Sequence, residues 1–244
     1  MFIKRLEAIE KMLDEGWLEF GGKIRIVGID PSRIAVFEFV MGADHLKINQ
    51  DDDIQMAINI FDFCKVLRRL KNSEILRLIY DQESYQITIV GRVNNRKKTF
   101  KLPEIDISDQ EEFPFEKLLA MSLPAMFWIE ANDFKDMVED CEMYSDAVDI
   151  GTGNDKVLVK AFYPNAEVSS EIEMPDIIEG VVSSYSIRFL KILINCMLGS
   201  KLLVRFGAGK PMIVLDKIDE ETRMLWFLAP RIVEADFEDD DDDF

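Results

Sequence analysis

The chain has 244 residues, 47 acidic against 29 basic side chains, a net charge of −18 and 48% hydrophobic residues. That apolar share suits a folded chain with one large core or two units of roughly 100–130 residues. The charge excludes a protein whose whole surface clings to DNA, because phosphate binding is driven by Lys and Arg that release counterions; any nucleic-acid contact is local.

From the start, MFIKRLEAIEKMLDEG alternates charge with apolar residues, with neither the pattern of a signal peptide nor a run of 18 apolar residues. Leu6, Ile9 and Leu13 form the apolar stripe of a first helix, followed by a hairpin-like stretch, Trp17 to Phe39. Phe63, Val66, Leu67 and Leu70 take the i, i+3, i+4, i+7 spacing of a second amphipathic helix. β-rich runs follow at Ile75 to Tyr80, Tyr85 to Val90 and Arg96 to Leu102, separated by polar turns. The stretch Leu102 to Phe115 holds two prolines and five acidic residues and reads as an extended linker. Beyond it, Phe134, Met137, Val138 and Cys141 make a third helical stripe, and Ala147 to Phe162 a further hairpin. SIRFLKILINC predicts a fourth helix, before strands at Leu202 to Phe206, Met212 to Asp216 and Met224 to Leu228. The end, Glu234 to Phe244, carries eight acidic residues, and removing those eight charges from −18 leaves −10 for everything before it. Adjacent carboxylates repel and two Phe cannot offset the ordering entropy, so this tail is expected to be disordered.

The two sides of the linker repeat each other. An offset of 126 residues takes Lys65 to Lys191, Leu76 to Leu202, Phe100 to Trp226 and Leu102 to Leu228. Each half reads helix, strands, helix, strands, which predicts an α+β fold: short one-sided helices on antiparallel sheets. The boundaries are a first repeat at 1–102, a linker at 103–116, a second repeat at 117–233 and the tail at 234–244. A period near 120 residues is too long for a solenoid and points to part of a larger symmetric assembly.

Enzyme chemistry finds little support. His45 is the only histidine, which removes two-histidine metal sites. Cys64, Cys141 and Cys196 lack the paired spacing of a zinc ribbon or a disulfide framework and suit a reducing compartment, cytosolic or nuclear. Gly151 to Asp155 (GTGND) is too short and lysine-free for a phosphate loop and reads as a hairpin turn. The carboxylates at 239–243 lack the fixed ligand directions of a catalytic metal site. No catalytic residue, metal ligand or cofactor is assigned. An acidic-tailed interaction protein or chaperone that does not encircle DNA is the competing class; the tail fits it, but basic helix faces do not.

Two motifs carry a resemblance: Gly28-Ile29-Asp30-Pro31-Ser32-Arg33-Ile34-Ala35 between strand-like runs, and Leu228-Ala229-Pro230-Arg231-Ile232 before the tail. With the acidic linker, the Ser183-Ser184-Tyr185-Ser186 segment and the duplication, the chain resembles the proliferating cell nuclear antigen family, replication sliding clamps, from about Phe2 to Ile232. The wording around IDPSR leans to the archaeal type. The resemblance implies a ring of three subunits, of this chain alone or with paralogous subunits, with helices lining the hole and sheets outside. It implies a processivity factor, without chemistry of its own, that encircles duplex DNA and tethers replicative polymerase, clamp loader, flap endonuclease and DNA ligase through short peptides. The expected location is the cytoplasm, on the nucleoid, or the nucleus in a eukaryote.

Residue by residue, the resemblance implies DNA-facing Lys4, Arg5, Lys11, Lys65, Arg68, Arg69, Lys71, Arg188 and Lys191. The third helix departs from the pattern, with Lys135 among Asp136, Glu139, Asp140 and Glu142. A partner-peptide pocket maps to Ile29, Arg33, Ile34, Phe113, Pro211, Phe227, Ala229 and Pro230, apolar except for Arg33 at its border. Subunit joining maps to edge strands Arg96 to Leu102 and Ala166 to Ile172, where Arg96, Lys97, Lys98 and Lys101 would meet Glu167 and Glu171. Clamps of this family begin with a strand, whereas Phe2-Ile3-Lys4-Arg5 already reads as helix; either that strand is absent, leaving the first repeat's core less complete, or the assigned start is late.

Overall fold

The computed structural model describes residues 6, 9–42, 54–73, 76–107, 113–178, 180–197 and 199–232. Lys4, Arg5, His45 and the tail at 234–244 lie outside the described residues. The first helical stripe appears as a turn in which the Glu10 and Leu13 N–H groups donate to the carbonyls of Leu6 and Ile9, at 2.9 and 3.0 Å. Its apolar side, Leu6, Ile9 and Leu13, is buried.

Trp17 to Phe39, read as a hairpin, contains three strands: β1 (Glu15–Phe20), β2 (Lys23–Ile29) and β3 (Ala35–Gly42). β4 (Ile54–Asn59) then leads directly into α1 (Ile60–Leu70), where the Asn59 side chain caps the helix by accepting the Asp62 N–H at 2.9 Å. β5 (Leu76–Asp81), β6 (Gln86–Val93) and β7 (Arg96–Pro103) complete the first repeat. The linker is not wholly extended. A short helix, α2 (Phe115–Leu119), starts after Pro114 and carries the end of the linker into the second repeat.

The second repeat runs β8 (Ala125–Glu130), α3 (Ala131–Glu142), β9 (Ala147–Gly153), β10 (Lys156–Tyr163), β11 (Ala166–Glu173), β12 (Val181–Ser186), α4 (Ile187–Cys196), β13 (Lys201–Phe206), β14 (Met212–Lys217) and β15 (Arg223–Leu228). The β9–β10 turn is the one read from GTGND. Asn154 and Asp155 take φ of 52° and 56°, and Asn94 and Asn95 take 51° and 59° between β6 and β7. Two consecutive left-handed residues twist a two-residue loop in the sense its strands require, and Asn and Asp tolerate that region best after Gly.

Among the described residues all strand pairs are antiparallel. One eight-stranded sheet, β4-β1-β2-β3-β15-β14-β13-β8, joins the two repeats through the β3–β15 pair; the others are β11-β10-β9-β12 and β5-β6-β7. Alternation along each strand sends one set of side chains toward the helices, giving a continuous apolar cluster that includes Phe37, Phe63, Phe134, Leu190 and Trp226 from both repeats. A smaller cluster around Val36, Leu123, Ile213, Leu225 and Phe227 lies beneath the linker. Among the described residues no helix is long and apolar enough to cross a membrane.

Candidate functional site

Helix α1 buries Phe63, Cys64, Val66, Leu67 and Leu70 and therefore turns Lys65 and Arg69 to solvent, with Lys71 following at its end. Arg188 on α4 and Lys11 after the first helical turn are also exposed. Lys65 stands 6.0 Å over the ring of Phe61, an aromatic residue half exposed one turn earlier. Two of the expected DNA-facing residues are spoken for inside the chain. Arg68 Nη1 pairs with Glu10 at 2.6 Å, and Lys191 with Glu142 of α3. Helix α3 shows Asp136, Glu139, Asp140 and Glu142 to solvent, with Lys135 paired to Glu139 at 3.7 Å, so this helix is acidic where the others are basic.

The GIDPSRI turn is held by its own aspartate. Asp30 is buried, and its carboxylate accepts the N–H of Ala35 at 2.5 Å and of Ser32 at 3.0 Å, while Arg33 takes φ 56°. The turn delivers Ile34 to the chain end, where the Ala229 N–H donates to the Ile34 carbonyl at 2.8 Å. Ile29, Arg33 and Ile34 are thus brought beside Ala229 and Pro230, and Pro211 immediately precedes Met212, the partner of Leu228.

The aromatic part of this surface differs from the expectation. Phe227 is only 3% exposed because the linker lies on it. The rings of Phe113 and Phe115 stand 5.7 and 5.6 Å from that of Phe227 and 4.9 Å from each other. Phe227 is therefore floor, not an accessible anchor, while Ile34 keeps 36% exposure. Arg25 sits 5.1 Å over Phe115 and is itself held by Glu38 at 2.6 Å and Glu19 at 2.7 Å. Burial pulls its pKa down, but hydrogen bonding and charge from Glu38, then Glu19, more than offset this and raise it.

Among the strands that end their sheets in the described residues are β7, beside β6, and β11, beside β10. On β7, Lys97, Thr99 and Lys101 point outward and Lys98, Phe100 and Leu102 inward, where Lys98 Nζ donates to the Arg69 carbonyl at 3.3 Å; Arg96 opens the strand, exposed. On β11, Glu167, Ser169 and Glu171 point outward and Val168, Ser170 and Ile172 inward. Lys160 pairs with Glu167 at 3.0 Å, and Lys156 pairs with Glu171, whose hydrogen bond raises the lysine's pKa.

Sequence reading missed Phe115, Leu118 and Met121, which pack with Phe113 over the outer cluster, and the counter-ions Glu10 and Glu142. The Phe-Pro-Phe spacing was the available signal for the former. The counter-ions come from other helices, at separations no local pattern reveals.

The family model described as "Proliferating cell nuclear antigen, N-terminal domain" matches residues 1–112. A relative from Thermococcus onnurineus, named "DNA polymerase sliding clamp", is 26% identical over 240 residues, 93% of this chain and 89% of its own length. One of the same name from Pyrococcus abyssi is 25% identical over 248 residues, covering 96% and 95%. Among solved structures, the PCNA2-PCNA3 complex from Sulfolobus tokodaii matches with TM-score 0.80 at 20% identity, over 94% of this chain and 95% of that one. PCNA from Thermococcus kodakaraensis matches with TM-score 0.80 at 21% identity, over 94% and 96%. The first 112 residues thus match the proliferating cell nuclear antigen family model, and nearly the whole chain is similar in sequence and in fold to sliding clamps.

Proposed function

We propose that this chain is a DNA polymerase sliding clamp: a ring subunit that encircles duplex DNA, performs no chemistry on it, and tethers replication enzymes. The observation that carries this reading is the full-length likeness to relatives named DNA polymerase sliding clamp, in a chain whose two repeats share one continuous sheet. Three features support the residue assignments. Lys65, Arg69, Lys71 and Arg188 face solvent on or next to the helices, which places mobile positive charge away from the sheets. Ile29, Ile34, Ala229 and Pro230 converge beside Phe113 into an apolar surface for the anchors of a client peptide. The edges of β7 and β11 carry opposite charge.

A tether of this kind works by effective concentration, so modest client affinity suffices to keep a polymerase at the primer end. Replacing Lys65, Arg69, Lys71 and Arg188 together by Ala tests the DNA assignment, since it leaves the Glu10 and Glu142 ion pairs untouched. Retention on nicked circular DNA should fall, and the slope of log affinity against log salt should flatten by roughly one unit per lost phosphate contact. Unchanged retention and polymerase stimulation, with the oligomer intact, would make these faces ordinary solvent surface.

A further inference from the structure

Where β3, β15 and β14 lie side by side, the sheet that joins the two repeats is apolar on both faces. Along β15, Met224, Trp226 and Leu228 enter the main core, while Leu225 and Phe227 turn the opposite way. Phe227 stands opposite Val36 on one side and Ile213 on the other, so the outward side chains form one apolar floor. The outward face of an antiparallel sheet is ordinarily polar and wet. Here Val36, Ile213, Leu225 and Phe227 are each at most 5% exposed, because Phe113, Phe115, Leu118 and Met121 lie on them.

That cover has little structure of its own. Helix α2 is five residues long, none of them is buried, and Pro114 at its N-cap supplies no side-chain hydrogen bond. So short a helix is marginal without tertiary packing. The chain is tied down on either side of it instead. Before it, the Ile105 N–H donates to the Ala57 carbonyl at 3.1 Å; after it, Arg205 donates to the Met121 carbonyl at 3.2 Å and Lys210 to that of Ser122 at 3.1 Å. Between these ties, the rings of Phe113 and Phe115 rest on Phe227, and Arg25 lies over Phe115.

The cover also has the chemistry of what the pocket is expected to bind. A client peptide with an aliphatic and two aromatic anchors on one short turn is matched by Leu118, Phe113 and Phe115 around the turn of α2. The pocket is divided to suit. Ile34 with 36% exposure, beside half-buried Ala229 and Pro230, leaves a seat for the aliphatic anchor. The aromatic seat, over Phe227, already holds two rings.

Resting on the clamp reading, we propose that residues 113–121 are a client mimic carried by the chain itself, filling the aromatic half of the pocket until a client peptide displaces Phe113 and Phe115 from Phe227. Tied at both ends, the mimic stays at high effective concentration and competes with every client. Only chains whose mimic has lifted accept the aromatic anchors, and the apparent affinity is reduced by that fraction. Were the two phenylalanines a fixed wall, a client would pack against them and lose affinity on their removal. The two arrangements predict opposite signs.

The test titrates a fluorescent peptide with a glutamine, an aliphatic and two aromatic anchors into the full chain. Phe113→Ala with Phe115→Ala should bind it about fivefold more tightly than the parent, because the competitor is gone. An unlabelled peptide of residues 112–121, EFPFEKLLAM, should then compete for that variant. A second measurement needs no substitution and so is immune to misfolding. In the parent, the Leu118, Ala120 and Met121 N–H groups donate to the carbonyls of Pro114, Glu116 and Leu118, and these amides should exchange with solvent faster when the client peptide is added. Weaker or unchanged binding by the variant, or slower exchange of these amides in the parent, overturns the mimic and leaves the clamp reading standing. A chain retained on circular DNA that binds the peptide in neither form removes pocket and mimic together. One that is not retained either removes the clamp reading as well.

Discussion

Phe227 shows how far one side chain can sit from its expected role. Its ring is buried beneath Phe113 and Phe115, so truncating it to Ala would cost about 3–5 kcal/mol of stability and say little about recruitment. Ile34 is the sounder probe, because it is partly exposed and its backbone, not its side chain, makes the hydrogen bond to Ala229. Ile34→Ser should leave melting within a few degrees of the parent. It should weaken a peptide with a glutamine, an aliphatic and two aromatic anchors by tenfold or more, read by fluorescence anisotropy. Parent-like peptide affinity would move the pocket elsewhere. Asp30 makes the complementary point: its two backbone hydrogen bonds explain why the turn holds an aspartate, a reason invisible until the turn is folded.

Among the secondary elements, β7 and β11 carry the sharpest expectation. Lys97→Glu with Lys101→Glu would set glutamates against Glu171 and Glu167, and gel filtration with light scattering should then give monomers at physiological salt. Lys98 is left unchanged because it points inward toward Arg69. Adding Glu167→Lys and Glu171→Lys to the same chain should restore trimers, an outcome that general damage to the strand would not produce. The elements legible in the sequence were those with strong periodicity: α1, α3, α4, the hairpin β9–β10 and the hairpin strands β5–β7 and β13–β15. Those not assigned as strands have physical excuses. β12 is half serine, VVSSYS, so its alternation is faint, and β4 and β8 run straight into helices with no intervening loop to mark the change of period. The short α2 was hidden by its acidic, proline-bearing surroundings. The basic residues of the helices were readable, but their neutralisation at Arg68 and Lys191 depends on tertiary neighbours.

For the molecule as a whole, the charge inside the proposed ring is uneven, since α3 sets Asp136, Glu139 and Glu142 among the basic helices. Neutralising them as Asp136→Asn, Glu139→Gln and Glu142→Gln should free Lys191 and raise retention on circular DNA, with a steeper salt dependence; no change would mean that α3 stays away from the duplex. The internal junction and the one between subunits also differ. β3 and β15 belong to one polypeptide, so if they part they meet again at the effective concentration set by their tether, on the order of millimolar for a short flexible connection. In the proposed ring, β7 and β11 would come from separate subunits with no such tether, and their re-encounter would depend on how much protein is present. A ring built this way opens at its three intermolecular seams and stays closed at its three internal ones. Dilution should then shorten its residence on circular DNA by releasing whole subunits, each of which keeps its two repeats joined.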